Sequence, residues 1–137
     1  MELNEKDREL IEMATELIKS NKDIYEDLNL LVGSALRAKS GKVYKGINLS
    51  TSHSVCAEQV AIGQAFAGGE RELDVVVSVK LDKTGKIRVV SPCGLCRYIF
   101  DELASGINVI VENSKSGDLV KVKSSELLPY PYRRGEG

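Results

Sequence analysis

Leu73-Asp74-Val75-Val76-Val77-Ser78-Val79-Lys80-Leu81 is the stretch on which the fold turns. It is rich in valine, whose branched side chain suits extended backbone. Val75, Val77, Val79 and Leu81 alternate onto one face and Val76 falls on the other, so the pattern predicts a strand buried on both sides, with structure packed above and below it. Working downstream, residues 82–85 turn, and residues 87–90 form a short strand that Pro92 breaks. Upstream, Gly68-Gly69 ends a helix over residues 56–67, in which Ala57, Val60, Ala61, Gln64 and Ala65 recur at helical spacing.

The outer segments complete the pattern. Residues 4–20 read as an amphipathic helix, with Leu10, Ile11, Ala14, Leu17 and Ile18 on one face. Asn4 is its N-cap, and Asp7 three residues on makes a weak capping box. Residues 21–27 are a polar loop. Residues 30–38 and 43–49 read as a hairpin around the turn Lys39-Ser40-Gly41-Lys42, although the first strand carries Gly33. Residues 50–55 form a polar loop. Residues 93–104 are helical, with Leu95, Ile99 and Leu103 on one face, and Gly106 stops them. Residues 107–111 are a strand and 119–122 another. Pro129 and Pro131 preclude regular helix in the tail. The expected fold is α/β: a three-layer α/β/α arrangement around one mixed sheet of about five strands, in a single domain spanning residues 1–137.

Composition narrows the function classes. A chain of 137 residues has room for one real core, and 42% hydrophobic with 28% charged residues describes an ordinary globular chain. Nineteen basic against twenty acidic residues leave a net charge of −1, which offers no electrostatic case for binding nucleic acid or a membrane surface. Continuous apolar runs, such as residues 30–32 and 75–77, fall far short of a membrane span. Residues 1–10 are acidic and mixed, unlike a signal peptide, so the expected location is the cytoplasm. Three cysteines, an odd number, do not form a disulfide framework.

The cysteines fall where they can act together. Cys56 opens one helix, and Cys93 and Cys96 open another after Pro92. Helix N-termini favour thiolate. Three converging thiolates with an open fourth position describe a catalytic rather than a structural zinc site. Glu58, in the first turn of the same helix as Cys56, is placed to face a water in that position and move its protons. Cys93-Gly94-Leu95-Cys96 alone is ambiguous between metal, redox and packing roles. A redox pair, however, leaves Cys56 and Glu58 unexplained.

Cys56-Ala57-Glu58 followed by Pro92-Cys93-Gly94-Leu95-Cys96 matches the zinc-deaminase signature in its cysteine form. From about residue 30 to 129 the chain resembles the cytidine deaminase family, the small zinc-dependent nucleoside deaminases that include blasticidin-S deaminase. Val32-Gly33-Ser34-Ala35-Leu36 is similar to the family's V-G-A-A-L, Gly46-Ile47-Asn48 to its G-x-N, and Glu126-Leu127-Leu128-Pro129 to its closing segment. The resemblance implies one zinc per chain on Cys56, Cys93 and Cys96, water attack on C4 of a cytosine ring, and Glu58 as the catalytic proton carrier to ring N3 and the departing ammonia. It implies that backbone groups near Ala57 and Ser91 meet the pyrimidine, and that Asn48 meets the sugar. It also implies a small-molecule cytosine nucleoside or analogue as substrate and a homotetramer, with a dimer as the alternative assembly.

The departures bear on substrate. Nucleoside-specific members carry N-x-E where this chain has Asn48-Leu49-Ser50, and blasticidin-S deaminase likewise lacks that glutamate. Members with three cysteines often carry arginine where Gln59 stands. Arg97 is then the nearest basic candidate to offset the thiolate charge, against an exposed salt bridge as the plainer reading. His53 reads as a solvated loop residue, Phe66 and Phe100 as core, and Glu70-Arg71-Glu72 as a solvated cluster. Tyr130 and Tyr132 read as cover for an active site or as packing between subunits. A deaminase acting on polynucleotides and a structural zinc or thiol redox module are the competing function classes.

Overall fold

The structure, a computed structural model, describes residues 1–135. The chain runs α1 (Glu5–Lys19), a 3-10 turn (Leu28–Leu30), β1 (Val32–Ala38), β2 (Val43–Ile47), α2 (Ala57–Ala67), β3 (Leu73–Leu81), β4 (Ile87–Val90), α3 (Gly94–Leu103), β5 (Asn108–Glu112), β6 (Leu119–Lys123) and a second 3-10 turn (Ser124–Leu127). β3 and β4 begin and end where the sequence pattern puts them. The first strand starts later than expected, because residues 28–30 coil into the 3-10 turn. The second stops at Ile47, where the Asn48 amide bonds back to the chain entering β1.

The sheet is mixed and holds six strands, where about five were expected. The last strand, β6, falls where residues 119–122 read as a strand, and it pairs antiparallel with β5 along its whole length. The strand order is β2-β1-β3-β5-β6, with β4 also on β3. β1 covers one edge of β3 from Val32↔Lys80 to Ala38↔Leu73. The other edge is shared. β5 runs parallel to the first half, through Val75↔Asn108 and Val76↔Val109. β4 returns antiparallel along the second half, from Ser78↔Val90 to Leu81↔Ile87.

The alternation in β3 separates two cores. Val75, Val77 and Val79 pack with Leu10, Ala14 and Ile18 of α1. Val76 packs on the opposite side with Leu36, Ala61, Ile62 and Phe100, under α2 and α3. This is the expected three-layer arrangement. Phe66 is half-buried against the same core. Two strand glycines let helix backbone approach the sheet from opposite faces. A Cβ on Gly33 would stand 3.1 Å from the Ala14 carbonyl oxygen of α1, and one on Gly46 would stand 2.4 Å from the Ala57 carbonyl oxygen of α2.

The weak capping box is complete. Asp7 N–H donates to Asn4 Oδ1 at 2.9 Å, and Asn4 N–H donates to Asp7 Oδ2 at 3.1 Å. Asp7 does more than cap. Its side chain is wholly buried, and it accepts from Arg37 of β1 at 2.9 Å and from Lys121 of β6 at 2.8 Å. A buried carboxylate requires such partners, and these tie α1 across the sheet. Glu70 departs from the solvated reading, since it accepts hydrogen bonds from Ser40 and Tyr44. The tail lies along α3, where the Tyr98 hydroxyl donates to the Tyr132 carbonyl and Arg133 pairs with Asp101.

Candidate active site

Cys56 and Cys93 are the N-caps of α2 and α3, each in extended backbone and neither using its side chain as a cap. Each helix therefore starts one residue later than the sequence suggests, and each sulfur is left for other work. Cys56 arrives from β2 through a loop pinned by two backbone hydrogen bonds between Leu49 and Val55, at 2.9 and 3.0 Å. Cys93 arrives from β4 through Ser91 and the buried Pro92. One turn of α3 brings Cys96 to the same side as Cys93. The close approach at Gly46 seats α2 against β2 and completes the convergence.

All three sulfurs lie within 4.8 Å of one another, and the Cys56 and Cys93 sulfurs are 3.6 Å apart. Zinc–sulfur bonds of about 2.3 Å in tetrahedral geometry place sulfurs roughly 3.8 Å apart, so the spacing suits one zinc ion. The electrostatics agree. Burial pushes the Cys56 thiol up, and Cys93 adds to it. Burial pushes Cys96 far up, with Glu58 and the other sulfurs adding to it. Cys93 alone comes out lowered. Burial raises it, but hydrogen bonds from the Cys96 N–H, the neighbouring thiols and the Leu95 N–H outweigh that. Three sulfurs so crowded become thiolates together only around a cation. Among the described residues, no fourth histidine, cysteine or acid joins the cluster, which leaves a coordination position open. The site fits one zinc per chain.

Glu58 sits in the first turn of α2 with only 6% of its surface exposed. Burial raises its carboxyl above the ordinary range, partly offset by its own backbone N–H and by the Ser78 hydroxyl. It lines a cavity of about 190 Å³ together with Cys56, Ala57, Cys93, Ser91 and Asn48. The structure thus brings every sequence-predicted site residue to one place. Asn48 is more constrained than expected. Its Nδ2 donates to the Leu30 carbonyl at 2.6 Å and its Oδ1 accepts from the Val32 N–H at 2.8 Å.

Tyr25 was missed in the sequence. Its hydroxyl donates to the Asn48 carbonyl at 2.6 Å and accepts from the Ser50 N–H at 2.9 Å, so it holds one wall of the cavity. No pattern signals a lone tyrosine in a polar loop. Among the described residues, Arg97 bonds to backbone carbonyls. It donates to the carbonyls of Pro92 and Leu127, at 2.8 and 3.1 Å, tying α3 to the chain before the tail. Gln59 instead reaches a sulfur, with its amide 3.9 Å from Cys96 Sγ. His53 is exposed in its loop. Tyr130 and Tyr132 are exposed on the tail.

Comparison with known proteins agrees with this geometry. The family described as the cytidine and deoxycytidylate deaminase zinc-binding region matches residues 4–112. A blasticidin-S deaminase from Bacillus cereus is 37% identical over 141 aligned positions, covering 96% of each chain. A cytidine deaminase from Halalkalibacterium halodurans is 35% identical over 101 positions, covering 72% of this chain and 74% of the relative. The crystal structure of a cytidine deaminase from Burkholderia pseudomallei superposes with a TM-score of 0.74 at 28% identity, covering 95% of this chain and 100% of the other. With three thiols gathered at two helix starts in the same fold, the chain belongs to the cytidine and deoxycytidylate deaminase family.

Proposed function

We propose that the chain is a zinc-dependent hydrolytic deaminase of the cytosine base in a free nucleoside or nucleoside analogue, with residues 1–137 acting as one catalytic domain. Cytidine or deoxycytidine would give uridine or deoxyuridine and ammonia. The observation that carries the reading is the buried Glu58 carboxyl beside three gathered thiols on one small cavity. Cys56, Cys93 and Cys96 would hold zinc, which would act as a Lewis acid and make a water acidic. Glu58 takes the water's proton, passes it to ring N3, and serves the departing amino group. Burial raises its carboxyl above the ordinary range, which favours the proton-carrying form. Backbone groups at Ala57 and Ser91 meet the flat edge of the base. Asn48 keeps a second Nδ2 hydrogen for a sugar oxygen.

The cavity supports a base-sized rather than a whole-nucleoside pocket. About 190 Å³ lies below the roughly 300–1,000 Å³ of sites that enclose drug-sized ligands. A second reading, action on a modified cytosine nucleoside such as blasticidin S, is favoured by Ser50 in place of the glutamate of nucleoside-specific members, and by the relative of that name. Exposed Leu95 and Leu103 on α3 and Tyr132 on the tail beside it supply apolar surface for a homotetramer, with a dimer as the alternative. A cytoplasmic location goes with three free thiols. Among the described residues, no helix is long and apolar enough to cross a membrane.

The test is ultraviolet loss on cytidine, deoxycytidine and blasticidin S, with wild type and Glu58→Gln. Turnover by wild type and a loss of at least about 100-fold in the variant are expected. Bound zinc without turnover of any of the three would favour a structural zinc module. Turnover of a single-stranded oligonucleotide alone would favour a polynucleotide substrate.

A further inference from the structure

The two helix starts that carry the cysteines are entered in different ways. The loop into Cys56 is pinned by the paired backbone hydrogen bonds of Leu49 and Val55. The turn into Cys93 is held by a side chain. Arg97 follows Cys93 by one turn of α3, and its own N–H donates to the Cys93 carbonyl at 3.0 Å. Its guanidinium reaches back past that turn. Nε donates to the Pro92 carbonyl at 2.8 Å, and Nη1 donates to the Leu127 carbonyl at 3.1 Å.

Pro92 is buried, and backbone acceptors inside a fold need donors. The Pro92 carbonyl lies in the peptide plane that ends at the Cys93 nitrogen and Cα. Whatever holds that oxygen therefore also aims the bond from which the Cys93 side chain projects. That side chain is committed to the cluster, with its sulfur 3.6 Å from the Cys56 sulfur. The guanidinium is planar, and its N–H groups are fixed relative to one another. Bonding both carbonyls locks the Pro92–Cys93 peptide to the end of the 3-10 turn at Ser124–Leu127, 30 residues on from Arg97. Leu127 packs against the core under α2 and α3, which anchors the far end.

We propose that Arg97 is a positioning residue for the metal site: its fork fixes the peptide that delivers Cys93, and so makes the hold on zinc depend on the chain around Leu127. The inference rests on the zinc-binding part of the deaminase reading and not on which cytosine compound is the substrate. Arg97 acts through the Pro92 carbonyl, so its role is geometric. A lysine carries the same charge but has no rigid plane with which to span two carbonyls, which separates positioning from an offset of thiolate charge.

The experiment measures zinc affinity by competition with a coloured chelator in wild type, Arg97→Lys and Arg97→Met. Arg133→Ala, which removes the tail's pair with Asp101 on α3 and leaves the fork intact, is the control. Removing a group that orients a metal ligand typically costs about 10–100-fold in metal affinity. The expected result is affinity at least about tenfold weaker in both Arg97 variants and within about twofold of wild type in the control. The rise in Tm on adding zinc shrinks accordingly in the Arg97 variants. A merely structural role would instead lower the Tm of zinc-loaded and zinc-free protein alike and leave affinity unchanged. Affinity in Arg97→Lys within twofold of wild type overturns the inference, and so does an equal loss in Arg133→Ala. Should neither Arg97 variant fold, NMR of the wild type decides. An Arg97 Nε–H that is shielded from exchange with water in the loaded protein, and loses that shielding when zinc is stripped, supports the inference; exchange that zinc does not change overturns it. Wild type that binds no zinc overturns the deaminase reading and this inference together, whereas tight zinc binding unchanged across the variants overturns this inference alone.

Discussion

Gly46→Ala perturbs the site while leaving every chemical group in place. The added methyl would stand 2.4 Å from the Ala57 carbonyl oxygen, 2.6 Å from the Ala61 nitrogen and 2.9 Å from Val60 Cβ, where ordinary contact begins at 3.4 Å. The first two are helix backbone and cannot rotate aside, so the start of α2 must retreat from β2 by about 1 Å. Ala57 lies between Cys56 and Glu58, and the retreat moves both. Overpacking of this kind costs about 1–3 kcal/mol, which lowers Tm by roughly 3–10 °C in a chain of this size. Function suffers more, because a displacement of about 1 Å in a catalytic group costs on the order of 100-fold in rate. The assay is kcat at saturating substrate, zinc per chain and Tm on one preparation. We expect kcat to fall far more than the modest Tm loss explains, with zinc weakened. A variant with unchanged Tm and kcat within twofold of wild type would refute the view that this contact seats the site.

Other outcomes follow from the scaffold. Asp7→Ala leaves Lys121 without its buried partner and Arg37 with Asp74 alone, and should cost about 3 kcal/mol, a fall of roughly 10 °C in Tm by calorimetry; a shift under 3 °C contradicts it. Burial alone would raise the Asp7 carboxyl, but hydrogen bonds from Lys121, the Asn4 N–H and Arg37 outweigh that and hold it below its ordinary value. Its contribution is therefore complete above the unfolded value of about 3.9 and is lost as pH falls below that through the folded value. Wild type should lose stability on acidification below about pH 4 more steeply than Asp7→Asn in parallel denaturant titrations. Tyr25→Phe releases the hydroxyl that joins Asn48 to Ser50. It should raise KM several-fold with kcat within twofold, whereas a collapse of kcat at unchanged KM would place Tyr25 in the chemistry instead.

The sequence made legible those parts of the fold that depend on short-range periodicity. Val76 against Val75 and Val77 told of a strand covered on both faces, and the structure puts those side chains in two separate cores. Cys56 and Cys93 were legible as helix starts because a glycine stop, a proline and apolar spacing bracket the helices. What stayed hidden depends on distant pairs. Asp7 reads locally as a cap, and nothing near it announces Arg37 or Lys121, thirty and 114 residues away. Tyr25 acts through a backbone carbonyl and an N–H, which leave no residue-type signal.

The central claim is that three thiols hold one ion with a free corner, next to a carboxyl that moves protons. Elemental analysis of the purified chain, paired with ammonia release from cytosine nucleosides, tests it most directly. The account predicts one zinc per chain and one ammonia per base converted, both lost together in Cys93→Ser. Ammonia release that persists in a zinc-free Cys93→Ser protein would contradict it.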